Sequence, residues 1–93
     1  MKNTYEADVK IIEEMASETQ GYTGELEELG GNSIKLNMGQ YNILIDLPYD
    51  YDADNLEFWM STVRYDDEEE TERNMKRVKT ERGVRNYINK FSN

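Results

Sequence analysis

Ser33 to Leu47 reads SIKLNMGQYNILIDL, and its hydropathy alternates with a period of two on either side of Gly39-Gln40. Ile34, Leu36 and Met38 alternate with Ser33, Lys35 and Asn37, while Tyr41, Ile43, Ile45 and Leu47 alternate with Asn42, Leu44 and Asp46. Successive side chains of a strand point to opposite faces, so this is a pair of half-buried strands. The glycine-bearing dipeptide between them predicts a tight hairpin. Pro48, the chain's only proline, ends the second of these strands because it has no N–H to give a ladder.

The residues before the hairpin change period. From Asn3 the spacing is helical: Tyr5, Val9, Ile12 and Ala16 follow at steps of 4, 3 and 4, and Ile11 and Met15 widen the stripe. Asn3 is placed to cap this helix, with Glu6 three residues on, and Gly21 to terminate it. Between helix and hairpin, Glu25-Leu26-Glu27-Glu28-Leu29 before Gly30-Gly31-Asn32 fits a first strand or a single helical turn, and a strand is the preferred reading.

Downstream, Leu56 to Tyr65 reads as a strand with Leu56, Phe58 and Met60 on one face and Trp59, Val63 and Tyr65 on the other. Met75 to Lys79 reads as a short return strand. A single helix across residues 72–92 is the alternative, but a break near Thr80 is preferred, because Val84 stands about 180° round from Met75 at 100° per residue and the two apolar stripes do not join. Thr80 instead caps a final helix whose stripe is Val84, Tyr87, Ile88 and Phe91. The expected fold is α+β: one domain spanning 1–93, with an antiparallel sheet of four to five strands and both terminal helices on one face. Nothing in the chain is left to cover the other face, where Leu44, Trp59, Val63 and Tyr65 would lie.

Charge is the second organising feature. Residues 1–72 hold 4 Lys/Arg against 19 Asp/Glu, and residues 73–93 hold 7 against 1, leaving −9 in all. Six acids fall within the seven residues Asp66 to Glu72. A 37% hydrophobic, 11% aromatic composition nevertheless sets the chain apart from disordered acidic sequences. Without cysteine or histidine it has no thiolate nucleophile, no imidazole base and no Cys/His metal set. No apolar run approaches the ~20 residues of a membrane span. A cytoplasmic protein without cofactor or metal, monomeric or homodimeric, is the expectation.

The carboxylates supply what candidate chemistry there is. Asp50, Asp52 and Asp54 match the first half of a calcium loop, but Asn55 stands where glycine is needed and Ser61 where a bidentate glutamate is needed. Asp46 and Glu57 lack the lysine two residues on that would suggest a nuclease pair, since Trp59 is there. Neither pattern supports catalysis. In extended chain, however, acids at i, i+2 and i+4 recur every ~6.6 Å, close to the contour spacing of nucleic-acid phosphates. Asp50, Asp52 and Asp54 have that spacing, as do Asp66, Glu68, Glu70 and Glu72. Such an array suits a basic groove built for DNA or RNA, with binding that weakens as salt rises.

In size, charge, lack of cysteine, α–β–α layout and the interleaving of acids with aromatics in PYDYDADNLEFW (48–59) and RYDDEEETE (64–72), the chain resembles small acidic phage-encoded anti-CRISPR proteins that act as DNA mimics. The resemblance implies a non-enzymatic inhibitor whose partner is a basic nucleic-acid-binding protein such as a CRISPR effector nuclease, with no direct binding of nucleic acid. The partner-binding set is then Asp50, Asp52, Asp54, Glu57, Trp59, Tyr65, Asp66, Asp67, Glu68, Glu69, Glu70 and Glu72. Two other readings compete. One is a protein–protein adaptor or antitoxin-like partner using the Trp59 face; the other is a small nucleic-acid-binding regulator using the basic segment Arg73, Lys76, Arg77, Lys79, Arg82, Arg85 and Lys90.

Overall fold

The computed structural model describes residues 4–52 and 56–91. Helix α1 (Tyr5–Ser17) is followed by strands β1 (Leu26–Gly30), β2 (Ser33–Asn37), β3 (Tyr41–Asp46), β4 (Phe58–Arg64) and β5 (Arg73–Val78), then helix α2 (Glu81–Lys90). The strands form a wholly antiparallel meander in the order β1-β2-β3-β4-β5.

The central hairpin has the register its hydropathy demands, with Ile34 opposite Ile45 and Leu36 opposite Ile43. Gly39, at φ 85°, makes the turn, and its amide donates to Asn37 Oδ1 at 2.9 Å. The β1–β2 turn places Gly31 and Asn32 at φ 58° and 61°, the paired left-handed conformation of a two-residue hairpin whose twist matches the strands. Ile34, Leu36, Ile43, Ile45, Phe58 and Met60 project to one face, each at most 4% exposed. There they meet Ile12, Met15 and Ala16 of α1 and Val84, Tyr87 and Ile88 of α2 in a single core. Burying each of the large side chains stabilises the fold by roughly 1.5–3 kcal/mol, and both helices are thereby held on the same side.

Several local expectations change. Asn3 lies outside the described residues, and Thr4 caps α1, its hydroxyl accepting from the Ala7 amide at 3.2 Å. The buried row of α1 runs Asp8, Ile12, Met15, Ala16, so the helix is rotated to turn Asp8 inward and leave Val9 half-buried. Asp8 is tolerated because the Tyr51 hydroxyl, brought by the connection after β3, donates to its Oδ2 at 2.8 Å. β4 begins at Phe58, two residues later than Leu56, and β5 begins at Arg73, two before Met75.

The last pairing contains a bulge. Met60 pairs with Lys76 but Thr62 with Arg73, so β5 uses one more residue than β4. The extra residue is absorbed near Asn74, at φ 54°. Asn74 Nδ2 donates to Thr62 Oγ1 at 2.8 Å, and the Tyr87 hydroxyl of α2 donates to the Asn74 carbonyl at 2.8 Å. The bulge, β4 and the final helix are thus tied at one point. Among the described residues no helix is long and apolar enough to cross a membrane.

Candidate functional site: an acid-rimmed furrow on the outer sheet face

The face turned away from the helices carries Lys35 on β2, Asn42, Leu44 and Asp46 on β3, and Trp59, Ser61 and Val63 on β4, in register as Lys35–Leu44–Ser61 and Asp46–Trp59–Arg77. The expectation that nothing in the chain covers this face is corrected by the β4–β5 connection. The acidic segment folds back over the sheet, where the Ser61 hydroxyl donates to Glu72 Oε1 at 2.8 Å. Glu70 and Glu72 then share the wall of a hollow of about 300 Å³ with Leu29, Lys35, Asn42, Leu44 and Val63. Under this cover Val63 is only 6% exposed and Ser61 4%. Trp59, in contrast, stays 46% exposed.

Three hollows join along this face. The first meets a smaller one of about 180 Å³ at Leu44 and Glu72. That one in turn meets a third, of about 480 Å³, at Asp46 and Trp59. Together they make a furrow that crosses the sheet, with an apolar floor of Leu44, Val63 and Trp59 and carboxylates at Glu70, Glu72, Asp46, Glu57 and Asp50 along its margins. The Asn42–Val63 row and the Asp46–Trp59 row stand four residues apart on their strands, about 13 Å.

Local contacts set the furrow's electrostatics. Asp46 Oδ1 accepts from the Ser33 hydroxyl at 2.6 Å, which fixes the carboxylate's orientation. The Arg77 guanidinium lies 4.0 Å from the Trp59 ring centroid and its Nη1 is 3.5 Å from Glu57 Oε2. On β4–β5, Arg64 Nε is 3.4 Å from Asp66 Oδ1. The side chains of Arg77, Arg64 and Asp66 are all more than half exposed, so these pairs contribute at most about 1 kcal/mol each and exchange readily with an incoming cation.

The run Asp66–Glu72 is not the extended arm that its i, i+2 spacing suggested. It is built of turns at 65–66 and 68–69, with Glu70 at φ 53°. Asp67 organises them, accepting from the amides of Glu69 at 3.0 Å and Thr71 at 3.2 Å. These backbone donors, first among them the Glu69 amide, hold the Asp67 carboxyl below its ordinary pKa. Asp67 is therefore spent on its own loop. Glu68 and Glu69 are exposed and take no ion-pair partner among the described residues.

Of the residues expected to bind a partner, Asp50, Glu57, Trp59, Glu70 and Glu72 come together on the furrow. Tyr65 and Asp66 sit in the turn beyond its end, and Asp54 lies outside the described residues. The Asp52 amide donates to Asp50 Oδ1 at 2.9 Å, an ordinary turn contact within the aspartate-rich connection. Leu44 stands on the outer face, as its alternation indicated, while Asp46, Tyr49 and Ser61 join the site without having been expected there. Asp46 shares strand parity with Leu44, a signal the sequence carries; Tyr49 and Ser61 depend on how the connections fold. No trio of acids among the described residues is placed to hold a metal ion.

Comparison with known proteins finds no matching family model, no similar curated protein and no similar solved structure. The chain is defined by its fold and by this surface: an α+β domain with one helix-covered sheet face and one acid-rimmed face.

Proposed function

We propose that the chain is a non-enzymatic binding protein whose outer sheet face docks onto a cationic protein surface of the kind that holds nucleic-acid phosphates. Inhibition by occupying that surface follows, with a CRISPR effector nuclease the partner implied by the anti-CRISPR resemblance. The observation that carries this reading is the return of Glu70 and Glu72 over Leu44 and Val63, beside the exposed Trp59. An apolar floor with an aromatic anchor and a charged margin is the arrangement of a binding patch, in which the anchor supplies affinity and the rim supplies orientation and on-rate.

Mimicry here is of charge on a folded surface, without the regular phosphate ladder of an extended strand. Glu68 and Glu69, exposed at the loop's apex, add to the field that draws a basic partner in. Like-charge repulsion within the run is relieved when that partner binds.

The test is displacement of a fluorescent DNA duplex from basic DNA-binding proteins, a CRISPR effector nuclease among them, between about 50 and 200 mM salt. The chain should displace the duplex, with potency falling as salt rises. Glu68→Lys with Glu69→Lys and Glu70→Lys should abolish displacement, and Trp59→Ala should weaken it by about tenfold or more. Absence of displacement from every such protein at the lowest salt, or indifference to the triple reversal, contradicts the proposal.

A further inference from the structure

The largest hollow of the furrow is chemically one-sided. Its lining includes three carboxylates, Asp46, Asp50 and Glu57, and two aromatics, Trp59 and Tyr49, with no lysine or arginine among the described residues. Both aromatics are available: Tyr49 is 82% exposed and Trp59 46%. Asp46 is pre-oriented by Ser33 through Oδ1. The acids are too dispersed to converge on a metal ion, so the cation they suit is a larger, flat one.

The molecule already holds an instance of the required contact. Trp59 lies between Asp46 on β3 and Arg77 on β5. On the β5 side the Arg77 guanidinium stacks 4.0 Å from the ring centroid with Glu57 beside it. On the β3 side, where Arg77 is not part of the lining, the hollow offers the same indole together with Asp46. We infer that this hollow is a seat for an arginine side chain of the partner, stacked on Trp59 and hydrogen-bonded to Asp46, so that the furrow reads arginine in preference to lysine. The inference rests on the cationic-partner reading and specifies it. A planar guanidinium stacks on an indole and presents a fork of donors to a carboxylate, whereas an ammonium is a compact, strongly hydrated charge that does neither as well.

Two capped peptides of equal length and charge, alternating Gly-Arg and alternating Gly-Lys, test it at about 50 mM salt. Trp59 is the sole tryptophan, so its emission reports on the seat directly. The arginine peptide should bind about five- to tenfold tighter and shift that emission. Asp46→Asn, and separately Trp59→Leu followed by calorimetry, should bring the arginine peptide down to the level of the lysine peptide. Equal binding of both peptides to the unaltered protein overturns the arginine seat and leaves the acidic furrow standing. An arginine preference that survives both substitutions also overturns it, because the discrimination then lies elsewhere. Failure of both peptides to bind overturns the seat and the cationic-partner reading together.

Discussion

Asn74 shows how much one residue decides in this fold. It holds a left-handed conformation at φ 54°, bonds Thr62 through its amide, and offers its carbonyl to Tyr87. Asparagine tolerates this backbone better than most residues. Asn74→Ala should therefore cost about 1–2 kcal/mol from strain and the lost hydrogen bond, and Asn74→Gly should cost less because the strain is absent. Urea unfolding of the two variants gives the comparison; an alanine variant as stable as the glycine one would contradict the role assigned to the bulge. Nothing in the hydropathy of RNMKRV announces a bulge, which arises only when β5 is fitted to β4. Asp8 is the same kind of case. The periodicity marked Val9 as inward, but the partner that makes Asp8 tolerable, Tyr51, is 43 residues away and outside any local pattern.

Among the elements, the central hairpin and α2 were the most legible because one periodicity ran without conflict through each. Ile34, Leu36, Ile43 and Ile45 alternate cleanly, and Val84, Tyr87 and Ile88 fall on one helical stripe; all are buried where that spacing puts them. The face on which α2 docks was legible from its stripe, but the closeness of its approach to β5 was not. Gly83, in its first turn, sits where an added Cβ would stand 2.9 Å from Val78 Cβ at the end of β5. Alanine ordinarily gains ~1 kcal/mol over glycine inside a helix. Here Gly83→Ala should instead destabilise by about 1–2 kcal/mol, since Val78 and the helix must separate. Thermal unfolding checks the sign, and a raised melting temperature would show that α2 packs less closely on β5 than described. The return of the β4–β5 connection over the outer face was equally hidden. A run of six acids reads locally as solvated loop, and only the Ser61–Glu72 bond and the turn built on Asp67 show that part of it lies on the sheet.

For the molecule as a whole, the sheet divides two kinds of surface. One face is closed by both helices; the other presents a furrow whose acids are largely uncompensated, while the basic residues of the C-terminal segment distribute between exposed positions on β5 and α2 and pairs such as Arg85 Nη1 with Glu18 Oε2 at 2.8 Å. Charge asymmetry along the chain carries into the fold only in part, since Lys35 and Arg77 stand on the acid-rimmed face. The segmental count made the asymmetry plain in the sequence, whereas the particular acids that meet Trp59 were decided by the folding of two connections. Docking at the furrow is tested by a map of backbone amide shifts as the Gly-Arg peptide is added at about 50 mM salt. Perturbations should concentrate on Leu44, Asp46, Trp59, Ser61, Glu70 and Glu72 and fade as salt is raised. Perturbations gathered on α1 and α2 with the outer face silent would place the binding surface on the helices and overturn docking at the furrow.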